Sequence, residues 1–250
     1  ATELRMYNAT EVHRTVPENR QRLSEIIDNH GRHITYLRLA VTDRCNLRCR
    51  YCMPEEGIEP VSHQQTLSYE EMERLVRLFI GFGIVKVRLT GGEPFVRRGC
   101  VDFMETLKQK LKVSELYVTT NGVETSRHLE RLKQIGISGV NLSLDTLDPK
   151  RFLALTRRDR LADVLKTLEK CLELAIPLKI NSVIVEDTSD QEIEHLVGLV
   201  QEHSISLRFI EQMGFSGSRS QNNKEENVLL GRLERLFPGM KEIVPESTST

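Results

Sequence analysis

The sequence predicts an α/β fold, a partial (β/α)6 TIM-like barrel with an N-terminal helical arm. Two observations carry this prediction. Six short β-like runs recur along the chain, and amphipathic stretches long enough for parallel crossovers separate them. A length of 250 residues and a hydrophobic fraction of 39% suit one large core. We therefore expect an arm over residues 1–33, a core barrel over 34–213 and a C-terminal loop and helix over 214–250.

The elements can be assigned in chain order. After Pro17, the arm carries a helix-like apolar stripe made by Leu23, Ile26 and Ile27. The six strand-like runs are residues 34–41, 84–90, 115–120, 139–144, 177–185 and 205–210. Residues 216–227 are rich in Ser, Asn and Lys and are typical of a mobile loop, and a last short helix is predicted near 228–237.

Two serines mark predicted helix starts. Ser68 is followed three residues later by Glu71, the spacing of a capping box. Ser126 precedes an apolar stripe of helical period and is a second candidate N-cap.

Alternation along the strands predicts which side chains face the barrel lumen. In the second run Val85, Val87 and Leu89 form the apolar set, so Lys86, Arg88 and Thr90 share the other face. The same count turns further polar residues to that face, namely Asn141, Ser143, Asp145, Lys179, Asn181 and Arg208. A lone cation in a small lumen is costly, so several cations imply an anionic ligand. The alternative is that some strands are inverted and these cations snorkel to solvent.

The balance of charge and the number of cysteines indicate which partners and sites the protein has. Lys and Arg number 35 against 36 Asp and Glu, which argues against nucleic acid or a membrane surface as partner. No apolar run is long enough to span a bilayer and no signal peptide opens the sequence, so we expect a cytoplasmic protein. Five cysteines, three of them within eight positions, fit a metal site in a reduced compartment better than disulfides.

The most specific motif is the C-x3-C-x2-C run formed by Cys45, Cys49 and Cys52 directly after the first strand. Three thiolates in one loop can ligate three irons of a 4Fe-4S cluster and leave the fourth iron open. The alternative is a zinc loop, but structural zinc usually takes four protein ligands and this loop offers three. Cys100 and Cys171 lie in helical stretches and are expected to be small buried groups.

A second motif, Thr90-Gly91-Gly92-Glu93-Pro94, ends the second strand, where barrel enzymes build their sites. The two glycines are expected to let a ligand approach the backbone. The Glu93 carboxylate is expected to accept bonds from an ammonium group. A branched side chain at Gly92 would then block that ligand and spare the cluster.

Together the two motifs resemble the radical S-adenosylmethionine superfamily. Residues 34–213 resemble one family within it, the molybdenum cofactor biosynthesis protein A family of GTP 3′,8-cyclases. The resemblance rests on motifs in order along the chain: residues 36–39 (YLRL), 51–55 (YCMPE), 86–94 (KVRLTGGEP), 118–122 (VTTNG), 141–145 (NLSLD), 179–181 (KIN) and 208–213 (RFIEQM).

The resemblance implies roles for individual residues. It makes the three cysteines the cluster ligands and, with Arg88, the catalytic set. Around S-adenosylmethionine it places Tyr51, Gly91, Gly92, Glu93, Ser143 and Met213. To GTP it assigns Arg38, Arg88, Thr119 and Lys179, with Lys86 and Arg208 as helpers.

The implied reaction begins when the reduced cluster cleaves S-adenosylmethionine to a 5′-deoxyadenosyl radical, which removes hydrogen from C3′ of GTP. The carbon radical attacks C8 of guanine, and reduction gives (8S)-3′,8-cyclo-7,8-dihydroguanosine 5′-triphosphate. The resemblance also implies an electron donor and a downstream pyranopterin-forming enzyme. It leaves the oligomeric state open, with a homodimer as one alternative.

One family feature lies outside these residues. Family members carry a second cysteine triad in a C-terminal extension, and we expect this chain to be a fragment that stops before it. Three alternatives stay open: a truncated inactive homologue, a radical enzyme with another substrate such as a peptide or a different nucleotide, and an iron–sulfur module that only carries electrons.

Overall fold

The computed structural model describes residues 25–59, 61–62, 65–212 and 228–241. Six strands form one sheet in the order β1-β2-β3-β4-β5-β6, and each neighbouring pair is parallel. The strands are β1 (Tyr36–Ala40), β2 (Lys86–Thr90), β3 (Glu115–Thr120), β4 (Gly139–Ser143), β5 (Leu178–Ile184) and β6 (Ser206–Glu211). Because β1 and β6 are the two ends of this order, the sheet is an open, partial barrel, as the sequence predicts.

Seven α-helices accompany the strands in the described residues. They are α1 (Tyr69–Gly81), α2 (Cys100–Glu105), α3 (Leu129–Ile135), α4 (Pro149–Thr156), α5 (Leu161–Glu173), α6 (Asp190–Glu202) and α7 (Val228–Leu236). Ser68 and Glu71 form the predicted capping box of α1. Ser126 is not an N-cap: it lies inside a 3-10 turn (Thr125–His128), and α3 begins only at Leu129. The prediction is wrong because the 3-10 turn lies between Ser126 and the first residue of the regular helix.

The core lies between the helices and one face of the sheet. Val87 and Leu89 of β2, Leu116 and Val118 of β3, and Leu142 of β4 are all fully buried there. The opposite face of these strands carries the polar residues, and Lys86, Arg88 and Thr90 are only partly buried. The predicted alternation is therefore confirmed, and it leaves the lumen face available for polar ligands.

The start of the described chain differs from the predicted arm. Ile27 pairs with His33 in an antiparallel bridge across the turn at Gly31, so Ile26 and Ile27 are extended rather than helical. Because of this bridge, Ile26 and Ile27 do not belong to the helix that the sequence predicts. Leu23, Met213 and the predicted loop at 216–227 lie outside the described residues. Within the described ranges, no helix combines the length and apolarity needed to cross a membrane.

Candidate active site

The cysteine loop, as we call residues 42–53, follows β1 and lies over the carboxyl ends of the strands. On one side it binds the end of β2, where Gly92 N donates to Thr42 O (2.7 Å) and Glu93 N donates to Arg44 O (2.8 Å). On the other side it binds the last turn of α4. Backbone hydrogen bonds on both flanks hold the loop in place.

The two glycines of the second motif are required by this contact. A Cβ on Gly91 would lie 2.3 Å from Thr42 O, and one on Gly92 would lie 2.2 Å from Arg44 O. Gly91 also has a φ of +140°, which L side chains rarely adopt. The Cβ positions of both glycines face the backbone of the cysteine loop, and their contact with a ligand stays a prediction. A side chain here displaces the loop itself.

Glu93 points into the protein rather than toward an open site. Its side chain is 0% exposed, and its carboxylate accepts bonds from Phe95 N (3.2 Å), the Thr120 hydroxyl (2.8 Å) and Asn121 N (2.7 Å). Thr120 shares the core-facing side of β3 with Leu116 and Val118. The Glu93 carboxylate is therefore not placed to accept a hydrogen bond from the ammonium group of a ligand, contrary to the prediction from the sequence. Burial raises the pKa of Glu93 to about 7, although the three donors oppose the rise.

The three cysteines present their thiols on the cysteine loop. Cys45 Sγ accepts bonds from Leu47 N (3.5 Å) and Asn121 Nδ2 (3.6 Å), the kind of donor that stabilises thiolate ligands. A hydrogen bond from Cys49 lowers the pKa of Cys52 to about 7, so Cys52 ionises more readily than an ordinary thiol. Cys100 and Cys171 are buried in α2 and α5, as expected.

The three thiols match the ligand set of a 4Fe-4S cluster with one open iron. Among the described residues, no three His, Cys, Asp or Glu side chains form a group that could hold one metal ion. A 4Fe-4S cube binds each thiolate through a different iron, so its ligands do not converge on one point. Three thiols in one loop, with amide donors already directed at Cys45, fit that requirement.

Tyr51 anchors the middle of the loop. Its hydroxyl donates to Asp145 Oδ2 (2.6 Å), and Asp145 Oδ1 accepts from Val183 N (2.8 Å). Burial raises the pKa of both side chains. Asp145 continues the lumen face of β4 beyond Ser143, which is partly buried at the end of that strand.

The candidate substrate residues share the lumen face. Arg38 is in register with Arg88, Thr119 with Asn141 and Asn141 with Lys179. The pKa of Lys179 is lowered first by burial and then by three neighbouring cations, Arg208, Arg88 and Lys86. Arg38 and Arg208 lie toward the open edges and are exposed. The structure thus brings the predicted cations together on one face, as alternation predicts.

Two lumen tyrosines were missed in the sequence. Lys86 Nζ lies 5.4 Å from the Tyr36 ring centre and 4.9 Å from that of Tyr117, and Arg88 lies 5.2 and 5.7 Å from the same rings. Such distances are typical of cation–π contacts. The same alternation, applied to β1 and β3, predicts that Tyr36 and Tyr117 face the lumen. Arg88 Nε is buried without a hydrogen-bond partner among the described residues, so one donor of its guanidinium is unsatisfied.

Charged anchors of the cysteine loop were also missed. Arg50 Nη2 donates to Asp187 Oδ1 (2.5 Å), and Arg151 binds both oxygens of the same carboxylate (2.9 and 2.7 Å). These two arginines, Arg151 first, hold the pKa of Asp187 well below its usual range. Arg97 donates to Val41 O (2.6 Å) just before the loop. No local sequence signal marks these contacts, because their partners are far apart in the chain.

Comparison with known proteins adds two kinds of finding. A family model described as the Radical SAM superfamily matches residues 39–200. The GTP 3′,8-cyclase of Peptoclostridium acidaminophilum is 37% identical over 228 residues, which are 91% of this chain and 70% of that protein. The mitochondrial GTP 3′,8-cyclase of Arabidopsis thaliana is 40% identical over 90% of this chain and 58% of that protein. Molybdenum cofactor biosynthesis protein 1 of Bos taurus is 38% identical, and the chain covers 36% of it.

Solved structures support the fold. Streptococcus suis SuiB bound to S-adenosylmethionine aligns with a TM-score of 0.67 at 23% identity, over 82% of this chain and 47% of that one. Native anSMEcpe with bound AdoMet aligns with a TM-score of 0.56 at 20% identity, over 71% and 51%. With its cysteine loop at the carboxyl ends of an open parallel barrel, this chain belongs to the radical S-adenosylmethionine superfamily and, within it, to the GTP 3′,8-cyclase family.

Proposed function

We propose that this chain is a radical S-adenosylmethionine GTP 3′,8-cyclase, which performs the first step of molybdenum cofactor biosynthesis. The observation that carries the proposal is the group of lumen cations. Arg208, Arg88 and Lys86 all lie close enough to Lys179 to lower its pKa, after the larger effect of burial. In an empty lumen these charges repel, and a triphosphate relieves the repulsion.

The cysteine loop supplies the cofactor side of the site. Cys45, Cys49 and Cys52 would hold the cluster, and Gly91, Gly92, Tyr51 and Ser143 would surround S-adenosylmethionine. Together the two groups would supply the chemistry that removes a hydrogen atom from the substrate. The residues of this chain would hold the cofactor over the lumen. Glu93 acts through the fold, because its carboxylate ties the glycine turn to the end of β3.

The lumen residues supply the substrate side. Arg88, with its free Nε, offers a planar donor set that matches phosphate oxygens, and the tyrosine faces fix its orientation. Lys179 adds a point charge whose ammonium form is favoured once the anion binds. Thr119 offers a hydroxyl from the neighbouring strand. Positioning, rather than acid–base chemistry, is the task of these groups.

A labelled substrate tests the proposal. The reconstituted, reduced chain is incubated without oxygen with S-adenosylmethionine and GTP deuterated at C3′. We expect deuterium in the 5′-deoxyadenosine and a nucleotide product of cyclised structure by mass spectrometry and NMR. The Cys49→Ala variant is the control and should give neither. Unlabelled 5′-deoxyadenosine together with unchanged GTP would contradict the proposal and favour a different substrate.

A further inference from the structure

Arg157, the residue that ends α4, has a strained backbone. Its φ is +56° and its ψ is +20°, in the left-handed region that favours glycine. Its own N–H caps the helix by donating to Leu153 O (2.8 Å). Glycine would cap the helix equally well without the strain. The arginine side chain makes contacts that glycine cannot make.

That side chain reaches both ends of a short segment of the cysteine loop. Nη1 donates to Arg48 O (2.8 Å) and to Met53 O (3.2 Å). Arg48 immediately precedes Cys49, and Met53 immediately follows Cys52. One guanidinium nitrogen thus joins the two carbonyls that flank the Cys49–Cys52 pair.

The rest of the segment is shaped around this contact. Met53 N (2.9 Å) and Cys52 N (3.1 Å) both donate to Cys49 O, which closes a tight turn between the two ligands. Outside the turn, Arg48 N donates to Thr156 O (3.0 Å) and Arg50 N donates to Leu155 O (2.9 Å). The end of α4 is therefore the platform on which the turn rests.

We propose that Arg157 is a positioning residue that fixes the separation of Cys49 and Cys52 before the cluster binds. Charged hydrogen bonds to two carbonyls hold the turn closed when no iron is present, so the thiols need little reorganisation to become ligands. The left-handed backbone directs the side chain across the loop instead of along α4. This role concerns the cluster alone and does not depend on the identity of the substrate.

Replacing Arg157 by glycine separates this role from helix capping. The variant Arg157→Gly relieves the backbone strain and removes the clamp, so its two effects have opposite signs. We expect thermal unfolding of the iron-free protein to be unchanged or shifted to higher temperature. We expect iron release to a chelator to accelerate by about tenfold, the equivalent of one charged hydrogen bond. Hydrogen exchange at the amides of Cys52 and Met53 should also become faster in the iron-free protein.

The matched control is Arg158→Ala, which removes the same charge one residue later. The Arg158 guanidinium donates to the Arg157 carbonyl (2.8 Å), not to the cysteine loop, so its loss should leave iron release unchanged. Unaltered iron release and exchange in Arg157→Gly would overturn the proposal, because the residue would then be only a helix cap. Equal acceleration in the control would overturn it as well, since general charge would explain the effect.

Discussion

The hydroxyl of Tyr51 donates a 2.6 Å hydrogen bond to Asp145 Oδ2 and joins the middle of the cysteine loop to the end of β4. The second oxygen of Asp145 accepts from Val183 N on β5. One buried carboxylate therefore fixes the loop to two neighbouring strands. Since Tyr51 stands between Cys49 and Cys52, this bond and the Arg157 clamp hold the same turn.

The Tyr51→Phe variant tests this bond. Removal of the hydroxyl leaves a buried carboxylate oxygen without its donor, which costs about 1 to 3 kcal/mol. Urea unfolding of the iron-free protein measures the loss. Asp145→Asn is expected to be milder, because its amide can keep the Val183 bond and donate to the tyrosine oxygen. Wild-type stability in Tyr51→Phe would show that the bond contributes nothing to the fold.

The Gly92→Ala variant tests the contact between the glycine turn and the cysteine loop. A Cβ that would lie 2.2 Å from Arg44 O must displace the loop, so iron content should fall together with S-adenosylmethionine binding. Gly198→Ala, in an open position on α6, is the control and should leave both unchanged. Full iron content with selective loss of S-adenosylmethionine would restore the simpler interpretation that a ligand occupies the space.

Glu93 predicts a pH dependence of stability. Its folded pKa of about 7 lies above the ordinary value of 4.5, so the folded state binds the proton more tightly. The stabilisation is complete below pH 4.5 and is lost as the pH rises through about 7. Wild type should therefore lose up to about 3 kcal/mol relative to Glu93→Gln between about pH 4.5 and about pH 7.5. Chemical denaturation of the two iron-free proteins measures this difference, and parallel pH profiles would contradict it.

Iron content tests the ligand assignment. This chain should bind about four irons after anaerobic reconstitution, because one triad holds one cube. Alanine at Cys45, Cys49 or Cys52 should abolish the cluster. Alanine at Cys100 or Cys171 should lower stability through a small cavity but leave the iron unchanged. A value near eight irons, or iron loss in either buried variant, would show that the ligands are misassigned.

Much of the fold could be predicted because it depends on local periodicity. The predicted runs 115–120 and 177–185 correspond to β3 (Glu115–Thr120) and β5 (Leu178–Ile184), and alternation placed Arg88 and Lys179 on the lumen face. Period-two patterning survives folding because one face of each strand must be buried.

The errors fall where the strands end. Alternation no longer applies in a turn, so it could not show that Glu93 folds back onto Thr120, on the core side of β3. It also could not show that Gly91 and Gly92 permit a close approach of Thr42 and Arg44 of the same chain. Such contacts depend on tertiary packing, and no spacing in the sequence encodes them.

Long-range anchors could not be predicted for the same reason. Arg157 lies 109 residues from Arg48, whose carbonyl it binds, and Asp187 lies 137 residues from Arg50. In the sequence each is an ordinary surface charge. Only the fold makes them supports of the cysteine loop.

Nucleotide binding by Arg88→Ala tests most directly the claim that the lumen cations hold a triphosphate. In wild type, GTP should raise the melting temperature, because an anion that binds only the folded state stabilises it. In Arg88→Ala this rise should largely disappear. The empty variant should lose no more than about 1 kcal/mol, because the lost tyrosine contacts are offset by weaker repulsion of Lys179. A strongly destabilised empty variant that keeps the full GTP-induced rise would contradict the account and make Arg88 a purely structural residue.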